Sequence, residues 1–288
     1  TLGIDVNTSK LNRTIAVSQT NPYFTDDGIS RSYELFLRTT RPPLINTGNY
    51  RVQTTGGNIR FGVPFSEVDT IFFGVGAEHT KVETFLDTTT TPPINTSPTL
   101  YQTYVQNFGD GLTATTTSFP LTAAWQRDSR DSALTPTKGR YQRANFDLAP
   151  VGDLRYYRAV YQHQYFKPFF RTITLALNGE FDYGRGFGGK PYPVFKNFYA
   201  GGIGSVRGYD SSSLGPRSKV ASDPAGGPFT GDAVGGASRL IANAELQFPF
   251  PGSGNDRSLR WFTFFDAGNV FAEGEKVRLG ELRYSAGV

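Results

Sequence analysis

The chain of 288 residues contains no cysteine, which removes disulfides, thiolate metal sites and cysteine nucleophiles together. Methionine is absent as well. No apolar run approaches the roughly 18 to 20 residues that a spanning helix needs, and no basic-then-apolar leader opens the sequence. The two histidines, His79 and His163, lack the company of three or four close ligands that zinc requires. A serine triad would have to recruit one of them, and no G-x-S-x-G turn occurs. Lysine and arginine are scattered among acids, so the net charge of +4 and pI near 9.2 carry no basic stripe for nucleic acid. These absences exclude a membrane helix but leave a membrane β-barrel open, because alternating strands keep average hydropathy unremarkable.

Aromatic residues make up 14% of the chain, with 33 glycines and 18 prolines, and leucine-rich or alanine-rich helical runs are missing. That balance favours strands joined by turns, hence an all-β fold. The clearest alternation is TITLALNGEFDY (172–183), where Ile173, Leu175, Leu177, Phe181 and Tyr183 share one face and Thr174, Asn178, Glu180 and Asp182 the other. Tyr33, Leu35 and Leu37 likewise oppose Ser32, Glu34 and Arg38, and Ile71, Phe73, Val75 and Ala77 oppose Gly74, Gly76, Glu78 and Thr80. Runs of about ten residues are long for a soluble sandwich, whose strands average about five or six. An apolar face tipped by Tyr and Phe, with charges opposite, suits an outward lipid band around a polar lumen.

Short connections such as TDDG (25–28) and SEVD (66–69) alternate with long polar stretches at 86–111 and 184–236, the asymmetry of tight turns and long external loops. Both ends of the chain stop in alternation, at Leu2, Ile4 and Val6 and at Leu282, Tyr284, Ala286 and Val288. An unpaired edge in lipid is costly, so residues 1–288 read as one antiparallel transmembrane β-barrel domain, incomplete at both ends. Roughly eleven to twelve strands are present on this reading.

GRGFGG (184–189) fits G-x-G-x-x-G, but Lys190-Pro191-Tyr192-Pro193 follows where a helix would have to start, so a dinucleotide cradle is not expected. Asp128 and Asp131, three apart, lie among Arg127, Arg130, Pro136 and Gly139 and read as a charge-laced hairpin rather than a catalytic pair. The segment after GRGFGG is more distinctive. It contains Asn197 to Gly202 (NFYAGG), then Val206-Arg207-Gly208-Tyr209, then Leu214-Gly215-Pro216-Arg217, then Asp232 to Gly236 (DAVGG). In that order these motifs resemble the sixth external loop of the outer-membrane barrel-assembly family, whose superfamily also holds two-partner secretion transporters. TNPYFTDDG (20–28) and DSRDSALTPTKGR (128–140) are similar to that family's second and fourth periplasmic turns. The loop hallmark is usually V-R-G-F, and Tyr209 stands here in place of the phenylalanine.

The resemblance implies a bacterial outer-membrane barrel of about sixteen strands in all. It implies that loop 184–236 folds back into the lumen, with Arg207 meeting the inner-wall acids Glu245 and Asp266. Alternation independently puts Glu245 on the face of Asn243 and Gln247, and Asp266 opposite Trp261 and Phe265. Arginine suits such a place because its planar fork holds two carboxylates and keeps its charge when partly desolvated, although a loop arginine is ordinarily solvated. Gly201, Gly202, Gly215 and Pro216 are expected to shape the loop, and Gly204 and Gly208 to let its backbone pass close to the wall. The family inserts and folds other β-barrels without cofactor, metal or covalent chemistry, opening between its first and last strands to pair with a client strand edge. The partners so implied are unfolded outer-membrane β-barrel clients, accessory outer-membrane lipoproteins, and a bilayer carrying lipopolysaccharide, with no nucleic acid. The sequons at Asn7, Asn12 and Asn95 would be inert there. Two alternatives stay open, a two-partner polypeptide-secretion pore on the same fold and a passive porin whose long loop is a constriction. A barrel-borne hydrolase would need a nucleophile and base in reach, and the sequence offers none.

Overall fold

The computed structural model describes the chain apart from residues 10, 11, 42–48, 90, 171, 219–230, 232, 251 and 253–258, so Asp232 of the fourth loop motif lies outside the described residues. Its strands are β1 (Leu2–Thr8), β2 (Asn12–Asn21), β3 (Ser30–Thr40), β4 (Tyr50–Pro64), β5 (Asp69–Thr84), β6 (Leu86–Asp87), β7 (Ile94–Asn95), β8 (Thr113–Ser118) and β9 (Leu121–Asp128). They continue as β10 (Gly139–Ala149), β11 (Tyr156–Pro168), β12 (Thr174–Gly186), β13 (Ser238–Pro249), β14 (Arg260–Phe271) and β15 (Arg283–Gly287). An α-helix, α1 (Thr99–Phe108), lies between β7 and β8. Apart from the small β6–β7 pair, the strands form one antiparallel sheet in chain order, with β8 and β9 both pairing along β5. No described helix is long and apolar enough to cross a membrane.

Period-two alternation gives the sheet two unlike faces. Leu35, Ile4, Phe73 and Phe265 stand exposed on one face, each more than half accessible, whereas Asp182 and Asp266 on the other are fully buried. A soluble protein shows the reverse, and an exposed apolar face this broad is solvated by lipid. Cross-strand bonds tie the polar face together, such as Asn58 Nδ2 to Glu34 at 2.9 Å and Thr122 Oγ1 to Asp147 at 2.8 Å. The connections 65–68 and 169–173 are among the tight ones and lie at one end of the sheet, and 85–120 and 187–237 at the other.

The stretch at 86–111 departs from the expected polar loop. It folds as β6, β7 and α1, and the reason is a helical period inside a Thr/Gln-rich segment: Tyr101, Tyr104, Val105 and Phe108 fall at i, i+3, i+4 and i+7. That stripe packs into an apolar cluster with Tyr50, Val82, Leu154, Tyr156, Tyr192 and Val194. Tyr101 stacks on Tyr50 at 3.7 Å, and Tyr104 meets the edge of Phe195 at 5.7 Å while its hydroxyl bonds Thr116. The helix thus caps the loop end of the sheet. GRGFGG leads directly into no helix: β12 runs through Gly186, and the next helical element among the described residues is a three-residue 3-10 turn, Val194–Lys196.

In the turn after β9, Arg130 pairs with Asp128 through Nε at 2.9 Å and a second nitrogen at 2.8 Å. Asp131 accepts the Thr137 hydroxyl and the amides of Thr137 and Lys138, and so closes the turn like a cap. Burial opposes the Asp131 charge, but those hydrogen bonds outweigh it and hold the carboxyl down at about 2. A depressed folded value means that the contribution is complete above the unfolded range near 4 and is lost as pH falls through about 2. Hydrogen-exchange protection factors at the Thr137 and Lys138 amides are expected to hold down to pH 4 and fall below it, and Asp131→Asn to show reduced protection at neutral pH. On the apolar face, Leu35→Arg is expected to cost about 2–4 kcal/mol in lipid, whereas Leu134→Arg in the exposed turn should stay within about 0.5 kcal/mol, both read by denaturant titration in vesicles.

Candidate functional site: an arginine-anchored loop

The connection between β12 and β13 is laced to itself and to the sheet. At its root the Glu273 carboxylate accepts the Gly186 amide at 3.0 Å and the Tyr192 amide at 3.0 and 3.2 Å. Farther on, Phe198 bridges to Gly236, Ala200 to Leu214, and Arg217 to Ala233. The tip is a tight turn from Gly202 to Val206, closed by Gly202 N to Val206 O at 3.1 Å and by the Gly201 amide donating to the Ser205 hydroxyl at 2.7 Å. Gly201 has φ of +109°, and a Cβ there would sit 2.4 Å from the Asp210 carbonyl, so no other residue fits without a shift. Gly215 is similarly placed against Val270. Pro216 offers its carbonyl to the Val234 amide at 3.1 Å. Gly202 also carries positive φ beside Ser211. Gly204 differs from expectation: a Cβ there meets nothing within 4 Å, so its place is the open apex of the turn rather than a close passage along the wall. Gly208, with φ of +81°, passes 3.6 Å from Ser285 of β15 by the same measure.

Val206 is fully buried among Ala200, Leu214, Ile241 and Val270, and Tyr209 packs on that cluster. Arg207, the next residue, is thereby aimed at β13 and β14. Its Nε and one terminal nitrogen hold the two Asp266 oxygens at 2.7 and 2.6 Å, its backbone amide adds a third bond to Asp266 at 3.0 Å, and its other terminal nitrogen reaches Glu245 at 2.6 Å. The guanidinium also lies 3.8 Å from the centre of the Phe264 ring. Asp266 is completely buried and Glu245 about a quarter exposed. Asn243 gives Asp266 a further bond at 2.9 Å and holds the Ser205 carbonyl at 2.6 Å. Hydrogen bonds to Asp266 lead the effects that raise the Arg207 guanidinium above its ordinary value, against its partial burial. Four donors on one dry carboxylate, in a bidentate fork, make a strong and directional anchor. The Tyr209 hydroxyl, absent from the usual phenylalanine, donates to the Tyr284 carbonyl on β15 at 3.3 Å.

The structure therefore brings together Val206, Arg207, Gly208, Tyr209, Glu245 and Asp266. It also uses residues that sequence reasoning did not single out. Lys196 pairs with Glu78 on β5 and lies 5.5 Å from the Tyr156 ring, above a polar cavity of about 690 Å³. Burial disfavours the Lys196 ammonium, but Tyr156 and Glu78 more than offset that and hold it above its usual value. Glu78 was legible as an inward acid, whereas nothing in the local sequence marks Lys196 as its partner across 118 residues. Among the described residues no group of three or more His, Cys, Asp or Glu could hold a metal. His79 instead bonds the Thr117 hydroxyl at 3.0 Å.

The chain is 35% identical over 304 residues to the outer membrane protein assembly factor BamA of Neisseria meningitidis, covering 94% of this chain and 36% of that protein. It is 30% identical over 190 residues to the sorting and assembly machinery component 50 homolog of Mus musculus, covering 58% of this chain and 37% of that protein. The chain thus spans about a third of the length of these relatives. The crystal structure of BamA from Haemophilus ducreyi lacking POTRA domains 1–3 superposes with a TM-score of 0.82 at 22% identity, over 99% of this chain and 57% of that one. CdiB from Acinetobacter baumannii gives 0.50 at 15% identity, over 96% and 42%. The Omp85 superfamily domain model matches residues 1–288, and the chain belongs to that superfamily as an outer-membrane β-barrel.

Proposed function

We propose that this chain is the core barrel of the machinery that folds and inserts β-barrel proteins into the bacterial outer membrane, without covalent chemistry. The observation that carries the reading is the docking of the Val206–Tyr209 motif on Asp266 and Glu245, in a chain 35% identical to a BamA. The work of such a machine is to lower the barrier for a client strand to enter lipid with its backbone groups paired. Unpaired groups there cost several kcal/mol each, so a strand edge offered inside the membrane is itself the catalyst. A loop bonded at once to β13, β14 and β15 holds that wall in register while the barrel's seam opens elsewhere. The partners in this reading are unfolded barrel clients, accessory outer-membrane lipoproteins and a bilayer carrying lipopolysaccharide.

The test uses the complete gene product in proteoliposomes with an unfolded outer-membrane client. Wild type is expected to speed client folding. Arg207→Ala removes both anchoring pairs, at a cost of roughly 3–5 kcal/mol for a dry pair and less here because Glu245 is partly wet. It should lose most of the acceleration while remaining folded by heat-modified mobility. Arg207→Lys keeps the charge without the fork and should fall between the two. Equal activity of all three would show that the anchor does not serve assembly. No acceleration by wild type, with steady conductance, would favour a pore.

A further inference from the structure

The Arg207 anchor has a counterpart one strand away that no part of the functional reading uses. Arg239 on β13 lies directly opposite Asp182 on β12. Its Nε holds Asp182 at 2.6 Å, one terminal nitrogen holds Glu180 at 2.9 Å, and the other donates to the Tyr199 carbonyl of the loop at 3.0 Å. The two sites share one plan. Each arginine grips one fully buried aspartate and one partly exposed glutamate, and each engages the loop, Arg207 from within it and Arg239 from the wall. The second oxygen of Asp182 has no hydrogen-bond partner among the described residues, so this carboxylate depends on Arg239.

The sites are also joined. Asn178, Asn243 and Asp266 stand opposite one another across β12, β13 and β14. Asn178 donates to Asn243 at 2.9 Å, and Asn243 donates to Asp266 at 2.9 Å and to the Ser205 carbonyl. On the far side, Gln162 donates both to Asn178 at 3.2 Å and to Glu180 at 3.1 Å. A continuous hydrogen-bonded path thus runs from Arg207 through Asp266, Asn243, Asn178 and Gln162 to Glu180 and Arg239. Amides in such a row orient one another, so loss of one clamp leaves the next donor or acceptor misdirected.

We propose that Arg239 is a second positioning residue for the loop, and that it acts cooperatively with Arg207 through the Asn178–Asn243 amide pair. This rests on the assembly reading for its purpose but not for its test, which reads loop position directly. The 288 residues hold no cysteine, so Leu214→Cys, at a buried loop position bridged to Ala200, is a unique reporter once any cysteine elsewhere in the full chain is replaced. Its rate of reaction with a water-soluble maleimide is measured in lipid vesicles without client. Arg239→Ala is expected to raise that rate on the order of tenfold, as Arg207→Ala does, with Arg239→Lys between wild type and alanine. The double variant should rise about fivefold less than the product of the two single effects. With Asn178→Ala in the background, the two effects should multiply. A rate within twofold of wild type for Arg239→Ala would overturn the positioning role, and multiplicative effects with Asn178 intact would overturn the coupling. Should Arg239→Ala fail to reach the folded, heat-modifiable form, Arg239→Lys and Asp182→Asn carry the same comparison. Client folding is measured in parallel: labelling that rises as expected, with no acceleration of client folding by wild type, would leave the clamp standing and remove the assembly reading instead.

Discussion

Backbone N–H and C=O groups in hydrocarbon must find partners within the protein, because lipid supplies none and each failure costs several kcal/mol. The rest of this structure follows from that requirement. An antiparallel sheet in chain order pairs each strand with its neighbours, and its pleat then sends alternate side chains to lipid and to the interior. Leu35 and Phe265 can be exposed only because the solvent on their side is apolar, and Asp182 and Asp266 can be buried only because cations meet them on theirs.

The interior inherits an electrostatic problem from this arrangement. Acids on several strands face the polar side of the sheet, where a buried unpaired charge is expensive to keep. Among the cations that answer these acids, three involve the long loop: Arg207 for Asp266 and Glu245, Arg239 for Asp182 and Glu180, and Lys196 for Glu78. Two of these cations belong to the long loop and the third donates to its backbone. The loop is therefore held by the same interactions that make the polar wall tolerable, and its position and the stability of the wall are one property. Phe264 beneath Arg207 and the buried Val206 add dispersion and direction, so that the charge arrives with its fork aligned.

Several features were legible before any coordinates. Period-two runs such as 172–183 reveal which residues share a face, and alternation agrees with the family resemblance in putting Glu245 and Asp266 on the polar side. Other features were present but masked by composition. The helix at 99–108 has its i, i+3, i+4, i+7 stripe of Tyr101, Tyr104, Val105 and Phe108, hidden among threonines and glutamines that read as loop. Gly204 looked like a point of close approach and proved to be the free apex of a turn, since a glycine's need for space depends on what lies opposite it.

The sequence by itself determined the fold class, the two faces of the sheet and the chemical character of the loop, because these depend on local period and on residue type. Only the tertiary structure decided the pairings. Lys196 meets Glu78 across 118 residues, Arg239 reaches Asp182 across 57, and the Asn178–Asn243–Asp266 row forms because strand register sets three distant residues side by side. Alternation states which way a side chain points, but which residues stand opposite it follows from register and turn geometry over the whole sheet, and no local stretch of sequence contains that information.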